Sequence, residues 1–179
     1  HDGIVDADES IKTGWEISTK NVNPNLLLMQ GIELKEGLLK HVVIPNSELL
    51  PGDSLSFIYD EINFCLSATG NKIGENNSEY YQVENYKLFL TGVKNGQEIT
   101  QLLVEHENFD DAMISIQFIG DIDGDGFPDL ILDTARHYNV DNPTLYLSKG
   151  AGENQLLQVV GWHRSVGCYN KKQKFLELR

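Results

Sequence analysis

Four aspartates fall within nine residues of this sequence, in a stretch over 120–133 that reads Gly-Asp-Ile-Asp-Gly-Asp-Gly-Phe-Pro-Asp-Leu-Ile-Leu-Asp. Asp121, Asp123, Asp125 and Asp129 stand at positions 1, 3, 5 and 9 of a loop that begins with Asp121. Packed together without a cation they repel. At an effective dielectric near 20, each pair about 5 Å apart costs roughly 3 kcal/mol. A hard divalent cation removes that cost. Calcium takes about six to eight oxygens at about 2.3–2.6 Å, and alternate carboxylates on a tightly wound loop converge on one point. Gly124 and Gly126 let the backbone turn without Cβ clashes. Gly126 occupies the sixth position, where a calcium loop needs its sharp bend. Phe127 would then offer its backbone carbonyl while its ring packs on the domain. Pro128 fixes φ just ahead of Asp129, which closes the loop directly or through a water.

The loop resembles the Asp-x-Asp-x-Asp-Gly-x-x-Asp calcium loops of FG-GAP repeats, as in integrin α-chain propellers and related bacterial secreted proteins. It is also similar to the first nine positions of an EF-hand or dockerin loop. By this resemblance the metal-ligand roles pass to Asp121, Asp123, Asp125, Phe127 and Asp129, with Ca2+ as the ion. Magnesium is the competitor, but it holds its waters tightly and disfavours cages of many carboxylates. The likeness covers about fourteen residues. One departure matters: an EF-hand needs Glu at position 12, and Leu132 stands there. The flanks, 114–119 and 130–132, also read as strands rather than helices. A strand–loop–strand site fits better than a helix-opening switch. With a single copy of the motif, the propeller of FG-GAP arrays does not carry over. Asp133 is expected at a strand end, solvated or behind the ligands.

Other chemistry-bearing residues make weaker constellations. His137 and His163, with Arg136, Arg164 and either Asp133 or Asp141, could form an acid/base site, although no spacing forces them together. His41 and His106 are isolated, and there is no His-Glu-x-x-His zinc pair. Cys168, close to His163 and Arg164, could be an activated thiol. Tyr80, Tyr81 and Tyr86 could stack on a sugar ring or pack across strands. There is no Gly-x-Ser-x-Gly nucleophile elbow, and Gly150-Ala151-Gly152 reads as a turn without the Lys-Ser/Thr of a phosphate loop.

The elements that must position the acidic loop repeat with period two. Ile62, Phe64, Leu66 and Ala68 share one face of the run from Leu55 to Ala68. Tyr86, Leu88 and Leu90 alternate with Lys87, Phe89 and Thr91. Ala112, Ile114, Ile116 and Phe118 alternate with Met113, Ser115, Gln117 and Ile119. Leu145 and Leu147 alternate with Thr144, Tyr146 and Ser148, and Gln155 to Trp162 is a further strand. Asn95-Gly96 between two such patterns marks a tight hairpin. Lys35-Glu36-Gly37 predicts another, joining Leu26–Leu34 to Leu38–Ile44. Pro51-Gly52-Asp53 marks a turn, and Asn71 to Glu79 reads as a loop. Helical signals are weak, since Gly31 and Gly37 interrupt the Leu-rich stretch over 26–39. The expected fold is mainly β: an antiparallel domain of about nine or ten strands, a sandwich or a partly open barrel, with the calcium loop between two strands.

Composition bounds the function. The chain has 179 residues, with 27 Asp and Glu against 14 Lys and Arg, for a formal net charge of −13. This balance argues against a phosphate-backbone partner, because each phosphate contact wants Lys or Arg. No apolar run approaches the roughly 20 residues of a membrane helix. The reading is a flexible acidic arm over 1–13, carrying Asp2, Asp6, Asp8 and Glu9, followed by a single β-rich calcium-binding domain over 14–179. The chain opens on His1-Asp2-Gly3 rather than Met, which suggests a removed leader or a module of a larger adhesin. Cys65 and Cys168 could close a disulfide in an oxidising compartment or stand as two thiols. Asn76-Asn77-Ser78 is a glycosylation acceptor. The function expected is an exported domain, secreted, periplasmic or at the cell surface, that binds a protein or carbohydrate ligand and uses calcium structurally. The alternative is a hydrolase on polysaccharide or peptide with structural calcium.

Overall fold

Alternating apolar residues form strands here because one face of each run can be buried while the other meets water or a neighbouring layer. In the computed structural model, residues 26–29, 31, 34, 37–74, 82–166 and 173–178 are described; all regular structure among them is β. The strands are β1 (Leu26–Met29), β2 (Ser54–Tyr59), β3 (Ile62–Ile73), β4 (Gln82–Lys94), β5 (Gln97–Asn108), β6 (Ser115–Gly120), β7 (Asp129–Asp133), β8 (Val140–Asp141), β9 (Pro143–Leu147), β10 (Gln158–Trp162), β11 (Ser165–Val166) and β12 (Gln173–Leu178). They make a four-stranded antiparallel meander, β2-β3-β4-β5, and a six-stranded sheet in the order β1-β12-β10-β9-β7-β6, with β8 and β11 as a short separate pair. Neither large sheet closes into a barrel, so the sandwich is the architecture adopted. The six-stranded sheet is antiparallel apart from the β1–β12 edge, which is parallel.

The main core lies between the two sheets. Phe57, Phe64, Leu66, Leu88 and Leu90 from the meander share one cluster with Ile116, Ile119, Leu130, Leu132 and Tyr146 from the six-stranded sheet. Each fully buried Leu in this layer is worth about 1.5–3 kcal/mol of transfer free energy. A second cluster, Ile122, Ile131, Leu145 and Leu147, occupies the opposite face of the six-stranded sheet. Strands β7 and β9 are therefore buried on both faces, and every residue of each is buried.

Turn chemistry explains the meander. Asn95 and Gly96 have φ of 54° and 76°. Lys94 pairs with Gln97, so the Asn-Gly hairpin forms as its sequence dictates. The run from Leu55 to Ala68 is not continuous. Asp60 and Glu61, at φ of 43° and 68°, turn β2 back onto β3, with Tyr59 opposite Ile62. This turn contains no glycine, and only the left-handed tolerance of Asp hints at it. Strand β3 runs to Ile73, into the stretch read as a loop; residues 75–81, including the acceptor Asn76 and Tyr80-Tyr81, lie outside the described residues. The acidic arm over 1–13, Cys168 and most of the Lys35-Glu36-Gly37 turn also lie outside them.

Two further differences bear on the loop. The predicted strand over Leu38–Ile44 does not form a ladder. It runs along the edge of β6 through single contacts: His41 bridges Gly120, and the Val42 N–H donates to the Ile119 carbonyl at 2.9 Å. On β6 itself, strict alternation would put Phe118 on the Ile116 face. A bulge between them shifts the register, so that Ile116 faces Leu132 and Phe118 faces Ile131. Ile119 thus joins the main core and Phe118 the second cluster.

Gly120, the last residue before the acidic loop, sits under this edge segment. A Cβ there would run into the Lys40 carbonyl and approach the Phe118 ring to 2.8 Å. Gly120→Ala is therefore expected to cost about 1–3 kcal/mol through overpacking, at roughly 2–4 °C of melting temperature per kcal/mol. At Gly152 a Cβ would meet only the Gln155 side chain, at 3.5 Å. Thermal melts of Gly120→Ala and Gly152→Ala should separate, with the second close to the parent protein.

Candidate metal centre

The loop that joins β6 to β7 is wound by its own carboxylates. Asp121 Oδ1 accepts the Gly124 N–H at 2.7 Å and the Asp125 N–H at 3.1 Å, and its Oδ2 accepts the Gly126 N–H at 2.9 Å. Asp123 Oδ1 accepts the Asp125 N–H at 3.2 Å, and Asp125 Oδ1 accepts the Phe127 N–H at 2.9 Å. Each is a short side-chain-to-backbone closure of the kind that makes Asp a turn former. Gly124 and Gly126 take φ of 78° and 91°. This is the left-handed region that the winding requires and that glycine adopts without steric cost.

The result draws three of the four aspartates together. Asp121, Asp123 and Asp129 each offer a carboxylate oxygen, and these oxygens lie within 4.8 Å of one another. Asp123 Oδ2 is buried and has no hydrogen-bond partner. Carboxylates at this spacing, one with an orphaned oxygen, are a donor set suited to a hard cation. Asp125 stands beside the trio. Its Oδ2 accepts the Ser148 hydroxyl at 2.8 Å. The Phe127 ring packs edge-to-face against Phe64 of β3, with centroids 6.1 Å apart. Such aromatic packing is expected of a ring that fastens the loop to the domain.

Asp129 is the anchor. It is fully buried, at 0% exposure. Its Oδ2 accepts the Ile122 N–H at 2.7 Å, and its Oδ1 accepts the Ser148 N–H at 2.8 Å. Burial pushes its carboxyl up to about 7, although the two N–H donors pull the other way. Asp123 is also raised, by burial first and by the charge of Asp125 next. On the far side, Tyr59 accepts the Asp121 N–H at 3.2 Å and donates to the Lys40 carbonyl at 3.4 Å. The Lys40 ammonium lies 4.7 Å from the centre of the Tyr59 ring and pairs with Asp60. An open depression of about 220 Å³ beside Asp121 and Asp123 is walled by Leu38, Leu39, Lys40 and Tyr59.

The other candidate residues go elsewhere. The His137 Nε2 meets Asp110 at 2.7 Å, rather than Asp133 or Asp141, and its ring stacks on Tyr138 with centroids 4.9 Å apart. Asp133 is not a solvated strand end. It is buried and accepts the Ala135 N–H, the Asn142 N–H and the Gln117 amide, which clips the end of β7 to the chain entering β9. His106 meets the Thr134 carbonyl at 3.0 Å, and His41 lies near the Leu39 carbonyl. Tyr86 is fully buried and donates to the Leu49 carbonyl at 2.9 Å, so it offers no face to a sugar. Cys65 is half-buried on β3, and its suggested partner Cys168 lies outside the described residues.

Sequence reasoning missed Ser148, the Ile122 N–H and Tyr59. Nothing local marks them. Ser148 follows the apolar run of β9, and only the pairing of β9 with β7 brings it to Asp129. The chain matches no protein-family model, no curated protein and no solved structure.

With a folded-state value near 7 against an ordinary 3.8, Asp129 makes the folded protein bind a proton more tightly than the unfolded chain does. In chelator, its contribution to stability is therefore full below about pH 4 and is lost as pH rises through about 7. Denaturant midpoints measured across that range should fall, and Asp129→Asn should flatten the decline whatever its own absolute stability.

Proposed function

We propose that this chain is an exported calcium-binding β domain, in which Ca2+ has a structural role and the sandwich serves as a binding or interaction module for a protein or carbohydrate ligand. One observation carries the reading: a fully buried carboxylate, Asp129, converges with Asp121 and Asp123, and one oxygen of Asp123 is buried without a hydrogen-bond partner. Such a cluster is costly for the protein alone, because buried negative charge is both desolvated and self-repelling. A divalent cation would offset both terms. The Phe127 carbonyl and Asp125 would complete the set in the manner of an FG-GAP loop, which we infer to be the type of site present. Calcium is the better match to a donor set of several carboxylates, since magnesium retains its water. Export is consistent with a site of this kind, because extracellular modules fill calcium sites with dissociation constants up to about 10⁻³ M.

The groups that the hydrolase alternative would use, His137 and His163, line neither the depression beside Asp121 nor a second open one over Cys65 and Thr91.

Calcium at about a hundred times its dissociation constant should add about 2.7 kcal/mol to stability through linkage. Thermal melts in calcium, magnesium and chelator should then rank in that order. Asp123→Asn should remove most of the calcium increment. Superimposable melts in calcium and chelator, for a protein folded in both, would falsify the reading.

A further inference from the structure

The acidic loop touches a second segment, which no loop motif announces. Ser148 follows β9 directly and contributes two donors. Its backbone N–H reaches Asp129 at 2.8 Å, and its hydroxyl reaches Asp125 at 2.8 Å. The segment that follows is held against the four-stranded sheet. Lys94, at the end of β4, donates its ammonium to the carbonyls of Ala151, Gly152 and Gln155 at 3.2, 3.2 and 2.9 Å. Gln101 on β5 accepts the N–H groups of Leu156 and Leu157 at 2.7 and 3.0 Å and donates to the Leu157 carbonyl at 2.7 Å. Ser148 is thus presented from a segment fixed at its far end, and it is itself buried.

We propose that Ser148 is a positioning residue of the metal centre, whose hydroxyl sets the orientation of Asp125 and thereby the affinity for calcium. The proposal rests on the calcium reading of the loop. Asp125 has one oxygen fixed by the Phe127 N–H and the other by Ser148. With both oxygens oriented, the carboxylate cannot swing freely, and each oxygen keeps a lone pair for an ion. Partners that orient a ligating group in this way commonly change metal affinity by about 10- to 100-fold when removed. The two functions of Ser148 are separable, because its link to Asp129 is made by the backbone and survives any side-chain change that keeps the strand end.

The test is calcium titration by calorimetry on the full chain, with Ser148→Ala, Ser148→Thr, Asp125→Asn and the double variant Ser148→Ala/Asp125→Asn. Melts in chelator establish that each is folded at the titration temperature. Ser148→Ala should bind calcium about ten-fold more weakly, and Ser148→Thr, which keeps the hydroxyl, should stay within a few-fold of the parent. The double variant should be no weaker than Asp125→Asn alone, since the hydroxyl acts through that carboxylate. Equal or tighter binding by Ser148→Ala would overturn the positioning role while leaving the calcium loop intact. Losses that add fully in the double variant would also overturn it, by showing that Ser148 acts on something other than Asp125. A folded parent protein that binds no calcium would remove both the loop reading and this proposal, and the parent titration alone distinguishes that case.

Discussion

A carboxylate at 0% exposure is the constraint around which this end of the sandwich is arranged. Asp129 opens β7, and its two oxygens tie the start of the acidic loop, at the Ile122 N–H, to the end of β9, at the Ser148 N–H. Both donors are backbone groups at strand or loop ends, which would otherwise be buried without acceptors. An asparagine, of the same size, has only one acceptor oxygen and could serve only one of them. The carboxylate therefore satisfies the backbone at the cost of being hard to ionise, which is why burial holds it near 7. That tension between backbone demand and charge is the physical reason the site suits a cation.

The constraint spreads because β7 and β9 are neighbours and are buried on both faces. Leu130 and Leu132 face the meander, while Ile131 faces the second cluster. A strand so enclosed cannot shift register without moving every side chain to the wrong layer. The position of Asp129 is thus fixed by apolar packing on either side rather than by the loop. Asp133 plays the same part at the other end of β7, accepting N–H groups from Ala135 and Asn142. One strand carries a buried carboxylate at each end, and Asp129 is the one that gathers with Asp121 and Asp123.

What the sequence made legible follows from what is local. The Asn95-Gly96 hairpin, the buried face of Tyr86, Leu88 and Leu90, and the winding of the Asp121–Asp129 loop all depend on residues within a few positions of one another, and they form as their chemistry dictates. The two-residue turn at Asp60-Glu61 is hidden because Asp60 is its sole turn former and Glu61 stands where a hairpin usually places glycine, although both adopt positive φ. The face switch at Phe118 is hidden because a bulge breaks the period of two without changing composition. The predicted strand over 38–44 fails because its apolar residues include Leu38 and Val43, which are exposed, and the segment finds only isolated contacts along β6. Ser148, Tyr59 and the His137–Asp110 pair depend on contacts between distant parts of the chain, and no spacing in one sequence reveals those.

The placement of Phe127 shows how the loop is held while remaining polar. Its N–H is taken by Asp125, and its ring stands edge-on to Phe64, which in turn stacks on Phe57 at 5.4 Å. The aromatic contact reaches from the six-stranded sheet's loop into the meander, so the acidic turn is attached to both sheets. Tyr59 makes a second such link, from the end of β2 to the Asp121 N–H. Neither link uses a charged group, and neither competes for the carboxylate oxygens that converge from Asp121, Asp123 and Asp129. The loop is thus anchored by apolar and neutral contacts on its outside, while its carboxylates are held by backbone N–H groups and the Ser148 hydroxyl. An arrangement with the ion-pairing side chains of the meander turned onto these aspartates would have neutralised them from within. Lys40, from the segment that precedes the meander, lies instead over the Tyr59 ring and is paired with Asp60.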